Sequence, residues 1–538
     1  MSDPLASVST LRTPQGEQAD PRQEKNSAGG YTFVPDELAQ LRRFLTLGST
    51  GGTYYVGQRE LTKANAQLVL ELARTRTAEV VAEVLAISAA GRAPKQNPAL
   101  FALAAAAKLG DADGRKAALA AVPLVARTGT QLFLFAGYLQ QFGGWGRGTR
   151  RAIGSWYVDP SRDVENVAYQ ALKYRQREGW THADLLRLSH PKTIEPARRE
   201  LFNWIHGREA ELTGLPLLVA FERIQAASSV SEVADLVTLN RGISWEMIPD
   251  RFQNEPAVWE SLLSNGLPQT ALLRQLPRLT RLGLLGPFSD WTGRVAAQLS
   301  DPERLKKGRI HPVNVLVAQR TYASGQGVRG VSTWSPSQPI VDALDAAFYT
   351  SFGAVEPTGK RLMLALDVSG SMVQSVSGLP LTCREASAAL ALVTAATESQ
   401  YELVGFTSAG SASVYSRPAL TRLAISPRQR LDDVVRAVSD LSFGGTDCSL
   451  PMRHALAKGL EIDAFVVFTD NETWHGEIHP YQALREYRQR TGIDARLIVV
   501  AMTATGRTIA DPHDAGMLDV SGFDSAVPAL ISNFARGL

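Results

Sequence analysis

Cysteine is nearly missing from this chain: 538 residues contain only Cys383 and Cys448. So few thiols leave no disulfide framework and fit a reducing compartment. No run approaches the roughly 18 uninterrupted apolar residues of a membrane span, so a soluble cytoplasmic protein is expected. A strong charge of either sign is also lacking. Lys and Arg number 56 against 53 Asp and Glu, a net of +3 that identifies no partner by itself. No Gly-x-x-x-x-Gly-Lys-Ser/Thr loop occurs, which excludes P-loop chemistry. A His-Glu-x-x-His zinc motif is absent too. HGEIH (475–479) places Glu477 wrongly, leaving His475 and His479 to mark an exposed loop and a helix start. Residues 1–30 are polar and rich in Ser, Pro, Gln and Gly, with no apolar signal segment; a disordered tail is expected.

What is present divides unevenly. A length of 538 residues implies two or more domains, and 44% hydrophobic with 20% charged residues is ordinary for a globular chain. Residues 356–538 hold 16 Lys and Arg against 20 Asp and Glu; residues 1–355 hold 40 against 33. The window 147–199 alone carries 11 basic and 6 acidic residues. A basic front and an acidic back point to two jobs on one chain.

From 31 to 357 the apolar spacing is helical. LTKANAQLVLELART (61–75), TAEVVAEVLAISAAG (77–91), PALFALAAAAKLG (98–110), ALAAVPLVARTGTQLFLFAGYLQQF (118–142) and SVSEVADLVTLNRG (229–242) show it. Helix pairs of this length bury their apolar faces only by stacking, so an α-solenoid is expected; an irregular all-α domain fits the same spacing. From 358 to 538 strands alternate with helices. Strands are expected at 361–367, 401–408, 412–416, 463–470 and 495–503, and helices at 384–399, 426–441 (capped by Ser426), 450–460 and 481–492. That alternation implies an α/β domain with a parallel sheet covered on both faces.

The α/β half carries a candidate metal site. LMLALDVSGSM (362–372) is an apolar strand that stops at Asp367 and opens into a loop offering Ser369 and Ser371. Thr446 in SFGGTDCS and Asp470 at the end of AFVVFTD complete a set of two carboxylates and three hydroxyls. Ligands of such sheets bind at the carboxyl ends of the strands. Two carboxylates neutralise a divalent ion while hydroxyls add coordination without charge, which suits Mg²⁺, with Mn²⁺ or Ca²⁺ as alternatives. The same residue types also serve as caps and turn formers. The five positions resemble the metal-ion-dependent adhesion site of von Willebrand factor A domains, with no position substituted. That resemblance implies a Rossmann-like A domain over 358–538 that captures an acidic group. A phosphohydrolase using Asp367 as nucleophile is a competing reading, but Ser369 stands where a second Asp would be needed.

The basic window supplies the second candidate. Arg147 and Arg151 stand four apart, as do Lys173 and Arg177, so each pair could share a helical face. Trp145, Tyr174 and Trp180 interleave with the cations, and guanidinium groups pair with phosphates and stack on bases. A solvated helical surface over buried aromatics fits equally. LGSTGGTYYVGQREL (47–61), GWGRGTRRAI (144–153) and KYRQREGWTHADLLRLSHPK (173–192) resemble signatures of the Ro autoantigen family, bacterial type, whose helical TROVE module precedes a von Willebrand A domain. The resemblance implies a ring of HEAT-like helical repeats over 31–357 that the A domain closes. It implies Y-type small noncoding RNA on an outer basic surface and single-stranded ends of misfolded RNA in the central hole. Non-catalytic RNA quality control alongside exoribonucleases such as polynucleotide phosphorylase follows, with the protein a monomer. The matching positions are Arg147, Arg150, Arg151, Lys173, Arg175, Gln176, His182, His190 and Lys192. The GGTYY segment is read either as a turn or as an RNA contact. A metal-dependent interaction scaffold with no RNA role is the alternative function.

Overall fold

The computed structural model describes residues 11–26, 28–34, 36–47, 58–89, 96–177, 179–308, 310–327, 332–376, 380–407, 419–440, 445–470, 473–502, 507–521 and 527–537. Residues 48–57 of the GGTYY signature and the expected strand 412–416 lie outside that set. The chain divides into two compact units: Met1–Asn65, Ser300–Ser332 and Val341–Leu538 form one, Ala66–Leu299 and Thr333–Ile340 the other. The described residues contain ten strands: β1 (Gln23–Lys25), β2 (Tyr31–Phe33), β3 (Gln176–Arg177), β4 (Trp180–Thr181), β5 (Leu362–Asp367), β6 (Tyr401–Phe406), β7 (Leu420–Arg422), β8 (Ala464–Thr469), β9 (Arg496–Ala501) and β10 (Met517–Ser521). No described helix is long and apolar enough to cross a membrane.

The second unit is helical, as its spacing indicates. Helices Thr77–Ala89, Asn97–Leu109 and Ala112–Val125 pack on one another, and Gly129–Gln141 packs on Asn97–Leu109. Small side chains let them approach closely: Ala102, Ala104, Ala105 and Ala106 are fully buried beside Leu100 and Leu103. Each fully buried Leu contributes roughly 1.5–3 kcal/mol. The apolar run 118–142 is two helices rather than one. Thr128 restarts the chain with a capping box, its hydroxyl accepting from the Gln131 amide at 3.3 Å while the Gln131 side chain accepts from Thr128 N at 3.1 Å. The only sheet among the described residues of this unit is the two-residue pairing of β3 with β4, which forms the hairpin between helices Val164–Lys173 and His182–Ser189.

The first unit is built on a six-stranded sheet in the order β10-β9-β8-β5-β6-β7. All neighbours are parallel except β6 and β7. Every residue of β5 and β8 is buried, the run expected of strands covered on both faces. The chain leaves β5 to one side for β6 and returns on the other as β8, so the carboxyl ends of β5 and β8 flank the switch point. Leu366 pairs with Phe468, which brings Asp367 and Asp470 to one rim. The expected helix 426–441 starts late, at Leu431, and Ser426 does not cap it; the Ser426 hydroxyl instead accepts from Arg428 N at 3.3 Å in the preceding turn.

One expectation needs correction. Of the expected disordered tail 1–30, residues 1–10 and 27 lie outside the described set, and the remainder is not disordered. β1 and β2 pair as a hairpin, and Phe33 bridges to Thr508 in both directions at 2.9 and 3.0 Å. Gln15, Gln23 and Asn26 are buried, because their amides satisfy backbone and side-chain groups at Asp447, His479 and Thr473. Composition misleads here because polar residues that order through hydrogen bonds look like polar residues that do not order. The compact units cut across the expected domain boundary at 357/358 without displacing it. Arg320, on helix Pro312–Ala323, pairs with Asp432 at 2.9 Å and Glu385 at 3.6 Å, so residues 300–332 belong with the sheet.

Candidate functional site

Asp367 closes β5 and is fully buried. Its Oδ1 accepts from Ser369 N at 2.8 Å, and its Oδ2 accepts from the Thr469 hydroxyl at 2.9 Å. The hydroxyls of Ser369 and Ser371 stand 3.0 Å apart on the loop that follows. Arg384 donates to the carbonyls of Val368 and Ser369, both at 3.3 Å, and so fixes the loop from behind. Thr446 and Asp470 are buried. Thr446 is held through its carbonyl, which accepts from Trp474 N at 3.3 Å and His475 N at 3.2 Å. Burial and the charge of Asp470 push the Asp367 carboxyl up to about 7. Two buried carboxylates that repel each other, ringed by hydroxyls, are a donor set that fits a hard divalent cation, which would remove the repulsion. Among the described residues no three His, Cys, Asp or Glu side chains cluster as a metal site, so the fit rests on carboxylate plus hydroxyl donors.

The basic window folds into a surface. Gly146 opens helix Arg147–Val158 with no side-chain cap and no acidic residue in its first turn. Arg147 and Arg150 on that turn, and Arg151 directly after it, are exposed and make no side-chain hydrogen bond or ion pair among the described residues. One turn further, Gly154 faces the end of helix His182–Ser189: a Cβ there would lie 3.5 Å from the Cβ atoms of Ser189 and Pro191. The helix thus carries its arginines alongside His190 and Lys192, which are exposed and equally unpaired. His190 is the only described non-glycine residue with positive φ (φ 47, ψ 53), capping its helix through N–H to the Leu186 carbonyl at 2.9 Å.

The other expected positions are placed differently. Lys173 ends helix Val164–Lys173 and Arg177 sits in β3, so the pair shares no helical face. The Lys173 ammonium is engaged by the Tyr169 hydroxyl at 3.1 Å and Glu246 at 3.7 Å. Arg175 lies over the Phe221 ring at 4.8 Å and contacts Gln225 at 3.3 Å, yet it is exposed, as is Gln176. Trp145 and Trp180 form a ring pair at 5.3 Å. His182 is the one clear correction. It is 3% exposed, packed 4.6 Å from the Phe133 ring, with Nδ1 2.7 Å from the Tyr157 hydroxyl. It is a core histidine, inaccessible to a ligand.

That burial has a pH consequence. Desolvation holds the His182 imidazole down to about 4 against an ordinary 6.5, so the folded protein keeps it neutral. The unfolded chain binds the proton first, and stability is lost as pH falls from 6.5 towards 4. The loss from this group is on the order of 3 kcal/mol. Thermal midpoints between pH 7 and 4 should fall more steeply in the wild type than in His182→Leu. Parallel slopes would remove His182 from the acid response.

Sequence reasoning names five rim residues but not the groups packed around them: Thr469, Arg384 and Asp447. Asp447 is buried, accepting from Ser449 N at 3.0 Å and the Ser449 hydroxyl at 2.6 Å. Only its adjacency to Thr446 could have flagged it.

Known proteins place the chain. Residues 24–212 and 218–324 match the TROVE domain, and residues 361–535 match the Ro60 vWA domain. A Deinococcus radiodurans protein named RNA-binding protein RO60 is 40% identical over the whole of both chains. A Caenorhabditis elegans protein of the same name is 36% identical over 97% of this chain and 91% of its own length. The crystal structure of the Deinococcus radiodurans RO (RSR) protein superposes with a TM-score of 0.75, covering 93% of this chain and 100% of that one. Helical and A-domain units, both matched in order and at full length, make this chain a member of the Ro family of TROVE and von Willebrand A domain proteins.

Proposed function

We propose that this chain binds small structured RNA through the face formed by Arg147, Arg150, Arg151, His190 and Lys192. The observation that carries the reading is the placement of three unpaired arginines within the first five residues of one helix. A helix N-terminus disfavours cations, so these charges cost stability until an anion meets them. A phosphate backbone supplies that anion and draws on the free backbone N–H groups as well. The names of the relatives support RNA as the polyanion. Arg175 and Gln176 extend the surface at the β3–β4 hairpin.

Family membership supports the finer reading: Y-type RNA on this face, single-stranded ends of misfolded RNA in a ring lumen, and hand-over to exoribonucleases such as polynucleotide phosphorylase. No chemical step is assigned to the chain. The rim of Asp367, Ser369, Ser371, Thr446 and Asp470 holds a divalent cation, Mg²⁺ before Mn²⁺ or Ca²⁺, that accepts a carboxylate or phosphate from a partner.

His190 offers the test. Its left-handed backbone costs roughly 1–2 kcal/mol in any residue but glycine. His190→Gly therefore keeps the turn and the stability while deleting the imidazole. Affinity for a small structured RNA should fall several-fold with the thermal midpoint at or above that of the wild type. Unchanged affinity would remove His190 from the interface. Log affinity should also fall with log salt, by about 0.7–0.9 per phosphate neutralised; a flat salt response would defeat the RNA reading.

A further inference from the structure

We propose that the N-terminal segment is a built-in strap that sets the geometry of the metal rim, with Gln15 as its positioning residue. This rests on the reading of the rim as a divalent-cation site. The rim is assembled from three pieces of chain: the loop after β5, the Thr446 loop, and the loop after β8. The first is fixed by Asp367 and Arg384. The other two meet at Gln15, more than four hundred residues away in sequence.

Gln15 is fully buried, and both its amide N–H donors and its amide oxygen are engaged there. Nε2 donates to Asp447 Oδ1 at 2.7 Å, beside Thr446, and to the Ile478 carbonyl at 2.9 Å. Oε1 accepts from the Thr473 hydroxyl, which also lies 3.1 Å from the Thr446 carbonyl. Thr473 follows Asp470 by three residues. One side chain thereby joins the residue next to one metal donor with the loop that follows another. The backbone repeats the tie: Gln15 N donates to the Gly476 carbonyl at 3.0 Å, and Tyr31 N donates to the Gln15 carbonyl at 2.8 Å.

The approach leaves no slack. Gly476 has φ 150, and a Cβ there would sit 2.6 Å from both Asp447 Oδ1 and Gln15 Nε2. The strap is anchored again beyond the rim. Asn26 donates to the Thr473 carbonyl at 2.6 Å, Gln23 meets His479 Nδ1 at 3.2 Å, and Arg22 pairs with Asp511 at 2.7 Å. Asp447 is buried, with Ser449 as its local partner and Gln15 as the donor that ties it to the Thr473 loop, so losing Gln15 leaves a buried acceptor one bond short. The loop then relaxes, and Thr446 moves with it.

Mn²⁺ titration of the full chain, read by electron paramagnetic resonance, tests this. Gln15→Ala should bind Mn²⁺ at least about tenfold more weakly than wild type, since removing a buried donor to a charged group is felt directly. Lys25→Ala, on an exposed position of the same strap, should bind as wild type. Gln15→Met keeps the side-chain length, removes only the polar atoms, and carries the same expectation if the alanine variant fails to fold. Wild-type Mn²⁺ affinity in folded Gln15→Met would overturn the strap while leaving the metal reading intact. A wild-type chain that binds no better than Asp367→Asn would overturn both.

Discussion

Replacing Arg147, Arg150 and Arg151 together by Gln should lower affinity for a small structured RNA on the order of a hundredfold near physiological salt. The thermal midpoint should stay level or rise slightly. Both directions follow from the same geometry. The three guanidinium groups are exposed within the first five residues of a helix that has no acidic residue in its first turn and no capping side chain. Each cation at that end costs roughly 0.3–1 kcal/mol, so neutralising it relieves the fold. Each also neutralises a phosphate when RNA binds, so the salt slope of the triple variant should be shallower by about two units. Lys173→Gln makes the contrast. Its ammonium already sits between Tyr169, Tyr174 and Glu246, so its removal should disturb packing more than binding. Fluorescence anisotropy across about 50–300 mM salt checks the slope. A triple variant with the wild-type slope would place the RNA elsewhere.

The two halves are legible to different depths, for physical reasons. A strand that is apolar throughout and stops on Asp can be read directly, since β5 and β8 are buried on both faces and end at the same rim. Short edge strands carry no such signal: β7 is three residues long and β10 begins after a turn that ends in Gly516, and neither emerges from the spacing. The cations of the basic window are local in sequence, so their clustering on a surface is visible there. Their partners are not local. Nothing in the sequence says that Glu246 claims Lys173, or that Phe133 and Tyr157 enclose His182 while His190, eight residues on, is exposed. A histidine in a basic run reads the same whether it faces solvent or core. The strap is the deepest miss, because Gln15 acquires its role only through Asp447 and Thr473.

Asp367→Asn should make the metal-free protein more stable, by on the order of 2 kcal/mol at about pH 8, while abolishing its response to Mg²⁺. The Asp367 carboxyl is pushed up to about 7 by burial and by Asp470, against an ordinary 3.8. Above pH 7 the folded chain therefore carries the Asp367 charge buried beside Asp470, a juxtaposition the unfolded chain does not make. The upward displacement of this buried carboxyl is a cost that the folded state bears and the unfolded chain does not. The amide recovers part of that and gives up part, because it accepts more weakly from Ser369 N and the Thr469 hydroxyl. The sign of the pH response is fixed as well. A carboxyl with a raised folded value penalises the fold fully above about 7, and the penalty fades as pH falls towards about 4. The gap between variant and wild type should shrink over that window. Adding Mg²⁺ at about pH 8 should close it from the other side, since an ion bound only by the folded wild type stabilises it by RT ln(1 + [Mg²⁺]/Kd). Thermal melts in chelator and in Mg²⁺, at about pH 8 and about pH 5, give all four corners. An Asp367→Asn protein less stable than wild type in chelator at the higher pH would mean that hydrogen bonding, not charge repulsion, governs this rim. The case for a cation there would then lose its physical basis.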